Sequence, residues 1–93
     1  MSEPVARRLV IRGLVQGVGY RFSMLQAAQE HGVTGWVRNR RDGCVEAVVK
    51  GRRDAVAAMI AWARRGPRGA RVDDVEEHAA DGDYAGFEQR PTV

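Results

Sequence analysis

The sequence predicts an α+β domain whose strands and helices follow one another in the order β-α-β-β-α-β. Two observations support this order: two segments with apolar residues at helical spacing, and an Asp-Gly turn between two strand-like runs. The chain has 93 residues, of which 44% are hydrophobic and 29% are charged. This composition suits one small domain with one core. We therefore expect a single domain over residues 1–93, with its core at about residues 6–90.

The first strand and the first helix flank a glycine-rich loop. A period-two alternation predicts the strand, and one side of it is formed by Leu9, Ile11, Gly13 and Val15. An apolar stripe that stops at Gly32 predicts the helix. The stripe consists of Phe22, Leu25, Ala28 and Gln29, with Met24 and Ala27 beside them.

Two further strands are predicted to form a hairpin. The runs 33–40 and 44–50 are strand-like, and Arg41-Asp42-Gly43 joins them. Asp-Gly between two such runs is a strong signal for a tight turn, so we expect antiparallel pairing. Cys44 follows the turn directly, and we expect its side chain to face outward.

The second helix has the clearest pattern in the chain. Its apolar residues fall at positions i, i+3, i+4 and i+7, and they are Val56, Met59, Ile60 and Ala63. Asp54 is predicted to cap this helix, and Gly66-Pro67 to end it. Val72 and Val75 then indicate a strand, and residues 87–90 a short extended piece. The simplest architecture for this order is the ferredoxin-like split βαβ fold, an antiparallel sheet with both helices on one face.

Composition argues against several classes of protein. No apolar run approaches the roughly 20 residues that cross a bilayer, and the start Met1-Ser2-Glu3-Pro4 does not resemble a secretory signal. We therefore expect a cytoplasmic protein with no membrane partner. Cys44 is the only cysteine, and no Cys/His cluster has the spacing of a metal site, so we expect neither a disulfide nor a metal or other cofactor.

The run from residue 13 to residue 21 reads Gly-Leu-Val-Gln-Gly-Val-Gly-Tyr-Arg. Its glycines allow backbone N–H groups to turn inward, and the head of the following helix adds N–H groups with partial positive charge. Arg21 adds a permanent cation with several donors. The run lacks the Gly-Lys-Ser/Thr of a Walker loop and the Gly-x-Gly-x-x-Gly of a dinucleotide loop. It therefore predicts a different kind of phosphate cradle.

Asn39 is the second candidate site residue. If the strand before the hairpin is regular, Asn39 shares a face with Gly35 and Val37, and that face looks toward the helices. Arg21, at the mouth of the first helix, belongs to the same side. We therefore expect the two side chains to meet at one rim beside the loop.

Together the two blocks resemble the acylphosphatase family. The loop matches that family's phosphate-loop signature at Gly13, Val15, Gln16, Gly17, Val18 and Arg21. Tyr20 stands where the family usually has Phe. The block from Gly35 to Gly51 fits the family's second signature throughout, and the resemblance covers almost the whole chain. It implies the same ferredoxin-like fold.

The resemblance also implies an activity, the metal-independent hydrolysis of small acyl phosphates to a carboxylate and inorganic phosphate. Arg21 and the loop N–H groups would bind the phosphoryl group, while Asn39 would orient the attacking water. The loop residues so assigned are Gln16, Gly17, Val18, Gly19, Tyr20 and Arg21. The Gln16 side chain has two possible roles, and the sequence does not decide between them: it contacts the ligand, or it braces the loop without touching the ligand. Acyl phosphate or inorganic phosphate is the expected small-molecule partner, and we expect a monomer.

The loop supplies no His, Cys, Asp or Glu that could act as a base or nucleophile. An acyl phosphate suits such a site, because its carboxylate leaving group departs without protonation. His31 and His78 lie outside both blocks, and no chemistry is assigned to them. Trp36 and Trp62 are expected to pack rather than to contact a ligand.

Two other functions compete with this one. The first is a catalytically idle anion-binding or regulatory module, since related domains occur in larger proteins that mature hydrogenases from carbamoyl phosphate. The second is nucleic-acid binding, which ferredoxin-like sheets with basic charge can perform. The net charge of +3 is modest, and the run 44–50 carries no aromatic residue on which a base could stack. We therefore expect no nucleic-acid partner.

Overall fold

The structure is a computed structural model, and it describes residues 3–93. Its elements are β1 (Val5–Leu14), α1 (Tyr20–His31), β2 (Thr34–Asn39), β3 (Val45–Gly51), α2 (Arg53–Arg65), β4 (Arg71–Ala79) and β5 (Phe87–Gln89). The predicted β-α-β-β-α-β order is confirmed, and the short extended piece near the end of the chain is a fifth strand. Met1 and Ser2, which begin the segment that does not resemble a secretory signal, lie outside the described residues.

The strands form one sheet in the order β4-β1-β3-β2-β5. β1 pairs antiparallel with β3 and with β4, and β2 pairs antiparallel with β3. β5 pairs parallel with β2, with Phe87 opposite Gly35 and Gln89 opposite Val37. The ferredoxin-like α+β fold is therefore confirmed, and the added strand makes the sheet mixed rather than purely antiparallel.

One hydrophobic core joins the helices to one face of the sheet. Alternate strand residues point into it, because neighbouring side chains of a strand project to opposite faces. The strands contribute Leu9, Ile11, Val37, Val45, Ala47 and Val49, and the helices contribute Met24, Ala28, Val56, Met59 and Ala63. In the part of the chain that the structure describes, no helix is long and apolar enough to cross a membrane.

The helices depart from the sequence prediction in three places. Gln29 belongs to the predicted apolar stripe of α1, but it is exposed. Phe22 was expected in the apolar stripe of α1, but its side chain is 58% exposed. The reason is that Tyr20 is buried, and residues two apart on a helix lie about 200° from each other around its axis. Asp54 does not cap α2, because Arg52 occupies the N-cap position and makes no side-chain cap hydrogen bond. Asp54 instead lies in the first turn, where its negative charge interacts favourably with the positive end of the helix.

The prediction that Cys44 faces outward is wrong. Its next neighbour, Val45, points into the core, so Cys44 points to the other face of the sheet, but there it is only 4% exposed. The cover is the side chain of Arg12, whose Nη1 donates to Cys44 Sγ at 3.3 Å. A long arginine stem can shield a small neighbour in this way while its charged end stays in solvent.

The face of the sheet opposite the helices carries a layer of charged and aromatic side chains. Glu46 is 8% exposed, and its carboxylate accepts hydrogen bonds from Arg8 at 3.0 Å and from Arg38 at 2.9 Å. Trp36 packs between two guanidinium groups, with Arg38 at 4.6 Å and Arg90 at 5.0 Å from its ring centroid. Trp36 therefore has a packing role, as the sequence predicts.

Tyr20 ties the start of α1 to the end of α2. Its buried hydroxyl donates to the carbonyl oxygen of Ala63 at 2.8 Å. That carbonyl lies in the last turn of α2, and the residue four positions later is Pro67, which has no N–H to donate. The phenol thus replaces a missing backbone donor. Burial raises the pKa of Tyr20 well above its usual value, so the hydroxyl stays a donor.

The Tyr20 contact gives a stability prediction. Tyr20→Phe should leave the Ala63 carbonyl buried without a donor, at a cost of about 1 kcal/mol. For a domain of this size that cost lowers the melting temperature by about 4–8 °C, which a thermal unfolding scan measures. The matched control is Tyr84→Phe, because the Tyr84 hydroxyl donates to Asp81 at an exposed site. Equal melting temperatures for the two variants would contradict the assigned role of the phenol.

Candidate active site

The site is built around the loop of residues 15–19, which joins β1 to α1. Gly17 and Gly19 have φ angles of 75° and 76°, in the left-handed region that side chains rarely adopt. Gly19 is also the N-cap of α1. Within residues 3–93, the backbone N–H groups of residues 16 to 21 donate to no acceptor. Unpaired N–H groups at the head of a helix are a ready-made site for an anion.

Arg21 lies in the first turn of α1 and lines a pocket of about 130 Å³ with the loop. Its guanidinium makes no ion pair or hydrogen bond within the described residues. It is also the only charged residue among those that line the pocket. An uncompensated cation at a helix N-terminus gives this pocket a positive field.

Asn39 is the last residue of β2 and lines the same pocket. Val37, two residues earlier, is fully buried in the core, so Asn39 points to the helix side of the sheet, as predicted. Its Oδ1 atom is buried and accepts no hydrogen bond within residues 3–93. A buried oxygen without a donor costs free energy, and such exceptions often mark functional positions.

The backbone around Asn39 is held on both sides. On one side Asn39 pairs with Val45 of β3. On the other, the N–H of Val93 donates to the Asn39 carbonyl at 3.2 Å, and the N–H of Arg41 donates to the Val93 carbonyl at 2.7 Å. The segment after β5 therefore continues the pairing along β2 to the position of Asn39.

Gln16 connects the loop to the hairpin. Its Nε2 donates to the Arg40 carbonyl at 2.7 Å and to the Cys44 carbonyl at 2.8 Å. Both amide hydrogens of Gln16 are used in these bonds, so Nε2 has no donor left for a ligand. Of the two roles left open by the sequence, bracing of the loop is the one that this geometry supports.

Most of the predicted site residues come together. The pocket is lined by Gln16, Gly17, Gly19, Tyr20, Arg21 and Asn39. Val18 is the exception, because its side chain packs against the hydrophobic core instead. Tyr20 contributes through its backbone, since its ring is buried and its hydroxyl is bonded to α2.

Phe22 and Gln89 also line the pocket, and the sequence did not point to either. Phe22 was assigned to the core from its apolar character. A buried Tyr20 would have corrected that assignment, because the two residues are on opposite sides of α1. Gln89 reaches the pocket only because β5 pairs in parallel with β2, and no short pattern in the sequence indicates that pairing.

The pocket contains no carboxylate, histidine or thiol. The hairpin that follows Asn39 holds a carboxylate and a thiol, and the N–H of Cys44 donates to Asp42 Oδ1 at 3.1 Å. Burial raises the pKa of the Cys44 thiol, and the hydrogen bond from the Cys44 N–H lowers the pKa of Asp42. A neutral thiol covered by Arg12 is not an activated nucleophile. Binding and positioning are thus the chemistry that the lining residues can provide.

Comparison with known proteins agrees with this geometry. The family model described as Acylphosphatase matches residues 7–89. The chain belongs to the acylphosphatase family. It is 57% identical over 93 residues to an acylphosphatase of Acidovorax sp. (strain JS42), an alignment that covers 99% of this chain and 96% of that relative.

Solved structures support the same assignment. An acylphosphatase from Coxiella burnetii superposes with a TM-score of 0.90 and 35% identity, covering 94% of this chain and 93% of that chain. Full-length HypF in a phosphate- and nucleotide-bound form matches with a TM-score of 0.89 and 25% identity, over 99% of this chain but 12% of its own. The chain is an acylphosphatase-type enzyme, a hydrolase whose substrate class is small phosphate compounds.

The two hydrogen bonds of Gln16 give a prediction about the loop. Gln16→Leu keeps a side chain of similar length but removes both donors, so the loop should lose its attachment to the hairpin. We expect weaker inhibition by inorganic phosphate and a loss of stability of about 1–2 kcal/mol. Inhibition constants and denaturant unfolding measure the two effects.

Two further variants sharpen this test. Gln16→Glu has nearly the same shape but no N–H to donate, and it adds a negative charge to the pocket lining, so it should lose phosphate affinity more strongly than Gln16→Leu does. Gln29→Leu on the exposed side of α1 should change neither quantity. Unaltered phosphate inhibition in both Gln16 variants would rule out the bracing role.

Proposed function

We propose that this enzyme hydrolyses small acyl phosphates by holding the phosphoryl group and placing a water molecule, with no metal ion and no covalent intermediate. One observation carries the proposal. The loop with its free N–H groups, Arg21 with its unpaired guanidinium and Asn39 with its unpartnered Oδ1 all line the same small pocket.

In this proposal the phosphoryl group lies at the head of α1. The N–H groups of residues 16 to 21 donate to its oxygens, and Arg21 donates from the side with its fork of N–H groups. A charge-assisted hydrogen bond contributes about 1.5–3 kcal/mol. Because these donors are fixed in place before the substrate arrives, they favour the charge that builds up on the phosphoryl oxygens as the bond breaks.

Asn39 provides the position for water. Its free Oδ1 can accept a hydrogen from a water molecule and so direct the water oxygen at phosphorus. The new bond forms between that oxygen and phosphorus, while the bond from phosphorus to the acyl oxygen breaks. The carboxylate leaves with the bonding electron pair, and the water proton passes to an oxygen of the phosphoryl group.

The absence of a general base among the lining residues is consistent with this substrate class. A phosphate monoester has an alkoxide leaving group, which needs a proton from an acid at the site. A carboxylate is a stable anion and departs unaided. Arg21 stays protonated throughout the working pH range, so binding needs no tuned ionisation.

We further propose that the folded core extends over residues 6–90, which is supported by the family match over residues 7–89. The proposed working form is a monomer in the cytoplasm. Light scattering of the purified chain tests the oligomeric state.

The role of Arg21 is tested by release of phosphate from benzoyl phosphate in the presence of excess chelator. The unmodified chain should release phosphate rapidly, because no step uses a metal ion. Arg21→Ala should lower kcat/KM by about 100- to 1000-fold, the usual effect of removing one donor to a developing anion. Arg53→Ala is the matched control, since Arg53 is exposed at the start of α2 and lies outside the pocket lining. A chelator-sensitive activity, or full activity in Arg21→Ala, would refute this mechanism.

The role of Asn39 is tested by separating turnover from binding. Asn39→Ala should lower kcat by about 100-fold, because the water is no longer held in line. Inhibition by inorganic phosphate should stay close to that of the unmodified chain, because the loop and Arg21 remain. If Asn39→Ala instead weakened phosphate inhibition as strongly as it lowered kcat, Asn39 would be a phosphate ligand rather than a positioner of water.

A further inference from the structure

The inference concerns the acyl half of the substrate, and it rests on the function proposed above. The pocket has a volume of about 130 Å³, and the loop, Arg21 and Asn39 are among the residues that line it. If the phosphoryl group binds to those residues, the acyl group has to extend toward the rest of the lining. Phe22 and Gln89 are exposed lining residues that the proposed mechanism does not use.

Phe22 is unusual for its place on α1. Its side chain is 58% exposed, whereas the other exposed positions of α1 are polar, namely Gln26, Gln29, Glu30 and His31. Among residues 3–93, the other large hydrophobic side chains exposed to this degree are Leu14 and Val93, and neither is aromatic. Phe22 alone of these three lines the pocket. An exposed ring at the mouth of a site offers a flat apolar surface to a bound ligand.

The chain order places this residue beside the proposed phosphate ligand Arg21. Phe22 directly follows Arg21, so its backbone is fixed by the same first helical turn that presents the guanidinium. Gln89 also lines the pocket, because β5 pairs in parallel with β2. The lining thus offers the acyl group one aromatic and one amide side chain, and neither carries a charge that would attract a second anionic group.

We propose that Phe22 forms the acyl-group subsite of this enzyme and selects acyl phosphates with flat, apolar acyl groups. Such a group, of which benzoyl is an example, covers the exposed ring and removes apolar surface of both partners from water. An acetyl group is too small to cover the ring and gains little from it. Phe22 is therefore a specificity-determining residue, and it takes no part in breaking the bond.

The experiment compares benzoyl phosphate with acetyl phosphate as substrates of the unmodified chain, Phe22→Ala, Phe22→Trp and the control Leu14→Ala. Phe22→Ala should lower kcat/KM for benzoyl phosphate by about two- to tenfold, the scale of one aromatic contact. It should leave kcat/KM for acetyl phosphate and inhibition by inorganic phosphate nearly unchanged. Phe22→Trp, which keeps an aromatic surface, should preserve the preference for benzoyl phosphate. Leu14→Ala removes an equally exposed apolar side chain outside the pocket lining, and it should alter neither substrate.

Other outcomes overturn the inference in distinguishable ways. Equal losses for both substrates in Phe22→Ala would mean that the ring supports the loop rather than the acyl group. No loss for either substrate would mean that the ring does not touch the substrate. If the unmodified chain released phosphate from neither compound, the proposed function itself would fail, and the acyl subsite with it.

Discussion

Gln16 donates its two amide hydrogens to carbonyl oxygens on either side of the hairpin turn, and the rest of the site depends on this link. The loop belongs to the β1–α1 connection, whereas Asn39 belongs to the end of β2. Because α1 and β2 lie between them in the chain, the backbone alone does not fix their distance. The carbonyls of Arg40 and Cys44 flank the turn that follows Asn39. By fixing that turn to the loop, Gln16 sets the distance across which a phosphoryl group and a water molecule would meet.

The distribution of charge singles out the same place. Several arginines of this chain are paired with carboxylates: Arg8 and Arg38 share Glu46, and Arg12 pairs with Glu76. Arg21 has no such partner within the described residues, and it lies where unpaired N–H groups add partial positive charge. Repulsion between an unpaired cation and the positive end of a helix lowers the stability of the fold. A bound anion removes that repulsion and raises the stability. The head of α1 therefore carries uncompensated positive charge, to which an anion would be attracted.

The sequence predicts those features of the site that depend on local rules. The glycines of the loop require positive φ, and the alternation of β2 places Asn39 beside Val37 on the helix side. What the sequence does not predict depends on long-range packing. The burial of Cys44 needs the stem of Arg12 from another strand, and the place of Gln89 needs a parallel pairing with β2. Phe22 was misassigned because apolar character alone does not distinguish the buried side of a helix from the rim of a pocket.

The parallel pairing of β5 with β2 has a consequence for folding. The pocket draws on the β1–α1 loop and the first turn of α1, on Asn39 and on Gln89, so it unites parts of the chain that are far apart in sequence. Contacts of such separation require large loops to close, which slows folding. During refolding the core between the helices and the other strands can form before β5 pairs with the edge of β2. The complete pocket cannot exist until β5 has paired. Recovery of enzymatic turnover would then mark the final stage of refolding, later than the return of helical structure.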